Sequence, residues 1–515
     1  MKADELLDLL GKVDDSLIAD ARSADESPAT ARGTTDRKES GNIPRKKTKW
    51  IAYAACICAV AFVCGAVLFV QNRKNSKETI TTENSAADIA LSKAALVSVL
   101  YPETATFPNL QDYILPDSSV SNKYFVELEN WSNDNYKRRS LVVGNTDGFK
   151  DFNKNTIKCF LEGTTENRCY SPINLYIALA MLTEATNGQT QSEILNFLGY
   201  DSVEELRSLC KSLWEITYMN DGYNFSIPAA SIWLNDSAAY NKDTLQKIAD
   251  NYYASSYSGE MGSDYYNLLL RDWINFNTGG LLKEQTSELS FDAATVLAIA
   301  STNYFRAKWA QYYNADRNVT DVFHSPDRDI NCEYMTRSET GKYYYGEKFG
   351  AIELSFDNHL GNMWFILPEE GITCDELLED EEALDFIVTG DIFGSKNKLI
   401  KINQMIPKFD ITSRLMLNEK LSELGISSVF TPGKDFEPLY DGQNIPTFLS
   451  KIEHSVRVAI DEEGVTAASY TVELACGAAE PPEEYVNFFL DRPFIFVIKN
   501  DYGLPLFTGI VSLPE

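Results

Sequence analysis

Histidine is nearly missing from this chain of 515 residues: there are three, His324, His359 and His454. None lies in an H-E-x-x-H, and no G-x-S-x-G, Walker A loop or G-x-G-x-x-G occurs. Those absences remove the motif-based routes to a zinc protease, an α/β-hydrolase, a P-loop enzyme or a dinucleotide-binding enzyme. A Ser/His/Asp triad has no fixed spacing and is not excluded by pattern, but no motif supports one. Cysteine is also sparse. Of nine, Cys56, Cys58 and Cys64 fall in one apolar run, and Cys159, Cys169, Cys210, Cys332, Cys374 and Cys476 fit no zinc spacing. A domain this large does not need disulfides, so buried free thiols are expected, with Cys476 apart in an exposed segment. No cofactor and no metal are expected, and nothing in the pattern marks any of the three histidines as catalytic.

Positive charge is in short supply. Against 75 Asp and Glu stand 46 Lys and Arg, a net −29. Residues 1–49 carry ten of each sign and 51–70 carry none, so all of the −29 lies after residue 70. Such a domain is repelled by nucleic acid and anionic lipid, and its charge keeps it soluble. No nucleic-acid partner is expected.

Charge is wholly absent from residues 51–70, IAYAACICAVAFVCGAVLFV, a run long enough for a helix to cross a bilayer. Six Lys and Arg occupy the fifteen residues before it and three the fifteen after, which puts the N-terminus in the cytoplasm. A cleaved signal peptide fits poorly with a 49-residue leader and no small-x-small site before Arg73. The expected organisation is a cytoplasmic tail over 1–49, a transmembrane helix over 50–70, a linker and extension over 71–145, and an extracellular domain over 146–515. Within the tail, Leu6, Leu7, Leu9, Leu10, Val13 and Leu17 recur at helical spacing, and 22–49 reads as a polar tether. The expected location is a single-pass protein of the cell membrane.

Helical periodicity runs over Asn153–Leu161, Ile173–Ala185, Ser192–Leu198 and Val203–Thr217, with Ser171-Pro172 as a helix start. Strand patterns come later: Ser226–Leu234, Val296–Phe305, Met363–Leu367, Lys398–Ile406, Ser455–Ile460, Phe494–Lys499 and Leu506–Val511. Helices first and strands later argue an α+β fold. Between two of those strands lies DEEGVTAASYTVELACGAAEPP, residues 461–482. Neither proline nor charge interrupts Val465–Val472, and neither Lys nor Arg occurs between Glu463 and Leu490. A long exposed segment able to become a strand is an aggregation hazard unless it has a use.

From about residue 146 the chain resembles the serpin family, the serine protease inhibitors. The resemblance rests on Ser171-Pro172, Asn187-Gly188-Gln189-Thr190, Trp273-Ile274-Asn275 with Thr278-Gly279, and Tyr304-Phe305-Arg306-Ala307-Lys308-Trp309. It continues through Pro407-Lys408-Phe409, Leu421 with Gly425-Ile426, His454, Glu462-Glu463-Gly464, Asp491-Arg492-Pro493-Phe494 and Leu506-Phe507-Thr508-Gly509. It implies three β-sheets, eight to nine helices and an exposed reactive-centre loop. The protein would be a monomer that acts as a suicide substrate: a protease cuts the loop, forms an acyl-enzyme, and is trapped as the loop inserts into the central sheet. A bacterial, membrane-anchored member is expected from the layout.

Carried onto this sequence, the resemblance makes Glu462, Glu463, Gly464, Val465, Thr466, Ala467, Ala468 and Ser469 the hinge. It places the cleaved bond at Ala478-Ala479, with Gly477-Ala478 and Cys476-Gly477 as rivals. Alanine at that bond implies an elastase-like or subtilisin-like target, with a cysteine protease as a further possibility. Strand alternation puts Val465, Ala467, Ser469, Thr471 and Glu473 on one face and Thr466, Ala468, Tyr470 and Val472 on the other. The first face suits burial except at Glu473. Ser171, Asn174, Ser301, Trp309 and His454 take structural roles beneath and at the top of the sheet. The family's usual Ser and Asn are exchanged here into Asn174 and Ser301, and the expectation is that the pair still completes one network with His454. Two alternatives stand: a serpin that does not inhibit, and a transmembrane sensor of extracellular proteolysis.

Overall fold

The computed structural model describes residues 86–515 apart from 118, 142, 164, 281, 284, 285, 288, 391–395, 444, 466–483 and 515. The helix expected in the tail, the apolar run 51–70 and the expected reactive bond Ala478-Ala479 lie outside the described residues, as do Thr466, Ala467, Ala468, Ser469 and Glu473. Among the described residues no helix is long and apolar enough to cross a membrane.

Two sheets are built around one main core. The first has the order β1 (Ala95–Val97), β5 (Ala254–Gly259), β4 (Phe225–Asn235), β6 (Leu297–Lys308), β14 (Gly464–Val465), β13 (Leu449–Ile460), β12 (Phe409–Met416), with β3 (Met219–Asn220) paired to β4. The second runs β15 (Tyr485–Phe489), β11 (Lys396–Pro407), β8 (Asp329–Tyr345), β9 (Phe349–Ser355), β10 (Asn362–Pro368), β16 (Phe494–Lys499), β17 (Pro505–Val511), β2 (Arg168–Tyr170), with β7 (Val319–His324) paired to β8. Among the described residues the expected three sheets are therefore two by hydrogen bonding. The 17-residue β8 joins what would be separate sheets, pairing with β7 and β11 along most of its length and with β9 at Tyr344 and Tyr345. The strands β16 and β17, FIFVIK and PLFTGIV, are buried at every position, as expected of strands covered on both faces.

The helices that matter for the site are α1 (Ala86–Ala94), α2 (Asn122–Arg139), α3 (Asp147–Leu161), α4 (Pro172–Ala180), α5 (Val203–Thr217) and α6 (Asp264–Asn277). Pro172 sits in the first turn of α4, where its missing N–H costs nothing, and α4 is buried throughout. Along β6 the side chains alternate between two cores. Leu297, Ile299, Phe305 and Ala307 face the main one, while Ala298 and Ala300 face a smaller cluster beneath α6 with Trp233, Leu270 and Ile274. On β13, Ile452, Val456, Val458 and Ile460 face the main core.

Candidate functional site

The strands β6 and β13 are parallel neighbours over only part of their length. They pair from Leu297–Leu449 up to Thr302–Ser455. Above that they part, and β14 fills the mouth of the gap. It is antiparallel to both, with Gly464 opposite Lys308, Val465 opposite Ala307, and Val465 also opposite Ile460. Gly464 and Val465, two of the residues expected to form a hinge, therefore already belong to the sheet rather than to an exposed loop. Val465 is 1% exposed and points into the main core. Gly464 leaves no room for a side chain: a Cβ there would lie 2.1 Å from the Ala307 carbonyl oxygen and 2.7 Å from the Lys308 Cα.

The turn feeding β14 is held from both sides. The Asp461 carboxylate accepts from the Glu463 (2.9 Å) and Gly464 (3.1 Å) amides, the local turn for which aspartate is suited. Trp309 donates through its backbone N–H to the Glu463 carbonyl (2.9 Å) and through Nε1 to the Asp461 carbonyl (2.8 Å), while its ring stacks on Phe356. The Tyr313 amide donates to the Glu462 carbonyl at 2.8 Å. The Glu462 carboxylate takes Lys408 Nζ at 3.2 Å and Asn318 Nδ2. Burial works to raise this carboxyl, but hydrogen bonds from backbone, Asn318 and Lys408 outweigh it and hold the group below the usual range. Asp461 goes the other way, pushed up by burial. Lys308, beside the hinge, is pulled down to about 8 by burial, with Glu463 opposing that pull. Lys308 and Asp461 were not singled out as site residues in the sequence. The D-x-x-G spacing before the hinge is the signal that would have marked the turn.

Lower down, where β6 and β13 are still joined, a buried polar network crosses the seam. His454 Nε2 accepts from the Ser171 amide at 2.8 Å, so that nitrogen carries no proton and Nδ1 donates to Ser301 Oγ at 3.2 Å. Asn174 Nδ2 donates to Ser301 Oγ (2.9 Å) and to the Thr302 carbonyl (2.6 Å), and Asn303 Nδ2 to Ser171 Oγ (3.1 Å). The structure thus brings Ser171, Asn174, Ser301 and His454 together, all nearly inaccessible to solvent, and adds Asn303. Trp309 is at the other end of the gap, with the hinge. Both imidazole nitrogens are used in the neutral state, and burial lowers the His454 pKa to about 4.

That shift has a sign. Between about pH 4 and the ordinary value of 6.5 the unfolded chain binds the extra proton and the folded chain does not, so stability falls as pH falls through this window. Thermal unfolding at pH 5 is expected to show a loss of about 2 kcal/mol relative to pH 7 from this group alone. His454→Gln should flatten that part of the profile. An unchanged slope in the variant would assign the acid sensitivity elsewhere.

Ser301 Oγ does lie beside an imidazole, but it faces the protonated Nδ1 and both groups are sealed from solvent, so the pair is not a nucleophile with a free base. His324 is exposed and bonded to Asp329. Among the described residues no group of three or more His, Cys, Asp or Glu could hold a metal ion, and Cys159, Cys169, Cys210, Cys332 and Cys374 are free thiols.

The model of the serpin (serine protease inhibitor) family matches residues 149–514. Among relatives, neuroserpin of Homo sapiens is 28% identical over 371 residues, covering 68% of this chain and 87% of its own, and Serpin-Z2B of Triticum aestivum is 26% identical, covering 68% and 91%. Among solved structures, the thermophilic serpin tengpin in its native state aligns with a TM-score of 0.64 at 24% identity, covering 72% of this chain and 96% of that one. The two named relatives are eukaryotic and lend no support to a bacterial, membrane-anchored type. The chain belongs to the serpin (serine protease inhibitor) family, which is a family of inhibitors in general and not of enzymes.

Proposed function

We propose that this serpin is a suicide-substrate inhibitor of serine proteases with elastase-like or subtilisin-like specificity. The observation that carries the reading is the half-filled gap. A strand two residues long is already seated between β6 and β13, and the chain beyond it is free of proline and charge as far as Val472. Cleavage near Ala478-Ala479 would free the loop to continue that strand downward. Each added ladder bond nets about 0.5–1.5 kcal/mol, and side-chain burial adds to that. The His454 network would part as the strand passes. Residues 51–70 would hold the protein in a membrane with the inhibitor domain outside.

Incubating the full chain with pancreatic elastase and running a denaturing gel tests the inhibition. A covalent band at the summed mass is expected. A clipped chain with full elastase activity remaining would refute it. Protease protection in sealed vesicles tests the orientation, since residues 1–49 should be shielded and the inhibitor domain exposed.

A further inference from the structure

Residues 86–141 precede the part matched by the family, and they dock on two bodies at once. Leu91 of α1 is buried with Leu270 and Ile274 of α6, and β1 extends the first sheet by pairing with β5. Tyr101 packs on Trp214 and Tyr218, at the end of α5. Higher up, the Phe107 amide donates to the Asp221 carbonyl at 2.8 Å, and its ring meets Tyr223 and Trp131. Trp131 of α2 donates Nε1–H to the buried Asp221 carboxylate at 2.9 Å. Asp221 and Tyr223 lie in the β3–β4 turn, and Lys308 Nζ, beside the hinge, sits 4.6 Å from the centre of the Tyr223 ring. All of these partners are on the β6 side of the gap.

The far end of α2 has two holds: Arg138 Nη1 donates to the Ile216 carbonyl of α5 at 3.0 Å, and a second hold comes from the other sheet. The Tyr502 hydroxyl, in the turn between β16 and β17, reaches the carbonyls of Arg138 (3.1 Å) and Leu141 (3.0 Å). That turn belongs to the second sheet, whose strand β2 pairs with β17 and packs on β12 and β13. One helix therefore ties the β6 side of the gap, through Trp131, to the body that carries β13, through Tyr502.

A full strand entering between β6 and β13 moves them apart by about 4.8 Å. A hydrogen bond does not survive a displacement of that size. We infer that residues 86–141 are a strut across the plane on which the sheet opens, and that loop insertion breaks its hold at one end. The state of the loop is thereby passed to the chain segment nearest residues 51–70. This inference rests on the insertion mechanism proposed above.

The test is hydrogen exchange on the full chain in detergent, before and after loop cleavage by pancreatic elastase, with the thermal midpoint measured on the same samples. Insertion should raise the midpoint, and amides of residues 122–141 should then exchange about tenfold faster, as for the loss of one or two hydrogen bonds. A raised midpoint with unchanged exchange in 122–141 overturns the strut and leaves insertion standing. An unchanged midpoint overturns insertion and the strut with it. Tyr502→Phe removes the far anchor while keeping the ring. It should raise exchange over residues 132–141 in the uncleaved chain about fivefold and speed appearance of the elastase complex. If it changes neither, Tyr502 is not the anchor.

Discussion

Val465→Arg is expected to convert the chain from a trap into a substrate. Val465 is 1% exposed, facing the main core between Ala307 and Ile460. An arginine there would carry a charge out of water into the apolar main core, at a cost of several kcal/mol. The hinge would be expelled, and strand growth would lose its first buried step. The bond near Ala478 would still be reachable, so cleavage would continue while trapping fell about a hundredfold, the rate equivalent of about 3 kcal/mol. The ratio of covalent band to clipped chain on a denaturing gel measures this. An unaltered ratio would mean that insertion does not begin at Val465.

The second large effect is expected at Glu473. The seated strand fixes a register on both sides: Val465 is opposite Ala307 on β6 and Ile460 on β13. Continued eight residues, both registers bring Glu473 level with Ile299 and Ile452. They agree with each other, because Ile299 and Ile452 are already a pair. By the same count Thr471 arrives between Ser301 and His454, which are also a pair. Glu473 shares its face with Val465, so full insertion would carry a carboxylate into the main core, where Ile299 is 2% and Ile452 0% exposed. Burying it unpaired costs several kcal/mol. Glu473→Ala should therefore raise the thermal midpoint of the loop-cleaved chain by several degrees and the trapped fraction with it. The uncleaved chain should melt as before. If the cleaved forms melt together, the loop stops short of Ile299. Tyr470 would arrive level with Thr302 and Ser455 on the α6 side, where in the uninserted sheet the space lined by Leu270, Ile274, Ala300, Glu453 and Ser455 amounts to about 10 Å³.

Much of this was legible along the chain. The strand patterns Ser226–Leu234 and Val296–Phe305 fall inside β4 and across most of β6, and Phe494–Lys499 coincides with β16, because strands covered on both faces read as continuous apolar runs. Ser171-Pro172 marks the start of α4 because proline is tolerated there and not farther in. The long β8 was missed. Its burial alternates over most of its length, but the half-buried positions in its middle are Thr336, Arg337, Glu339 and Gly341, so the sequence shows no apolar period there.

The sequence by itself determined the family, the alternation of Val465–Glu473 and the identity of the groups at the seam. These depend on residue type and local spacing, which the chain carries directly. Only the tertiary structure decided that the gap between β6 and β13 is partly filled, that His454 Nε2 faces a backbone amide, and that the segment before residue 146 bridges two bodies. Those facts depend on register and on contacts between residues far apart in the chain. Ser171 and His454 are 283 positions apart, and no local pattern encodes their meeting.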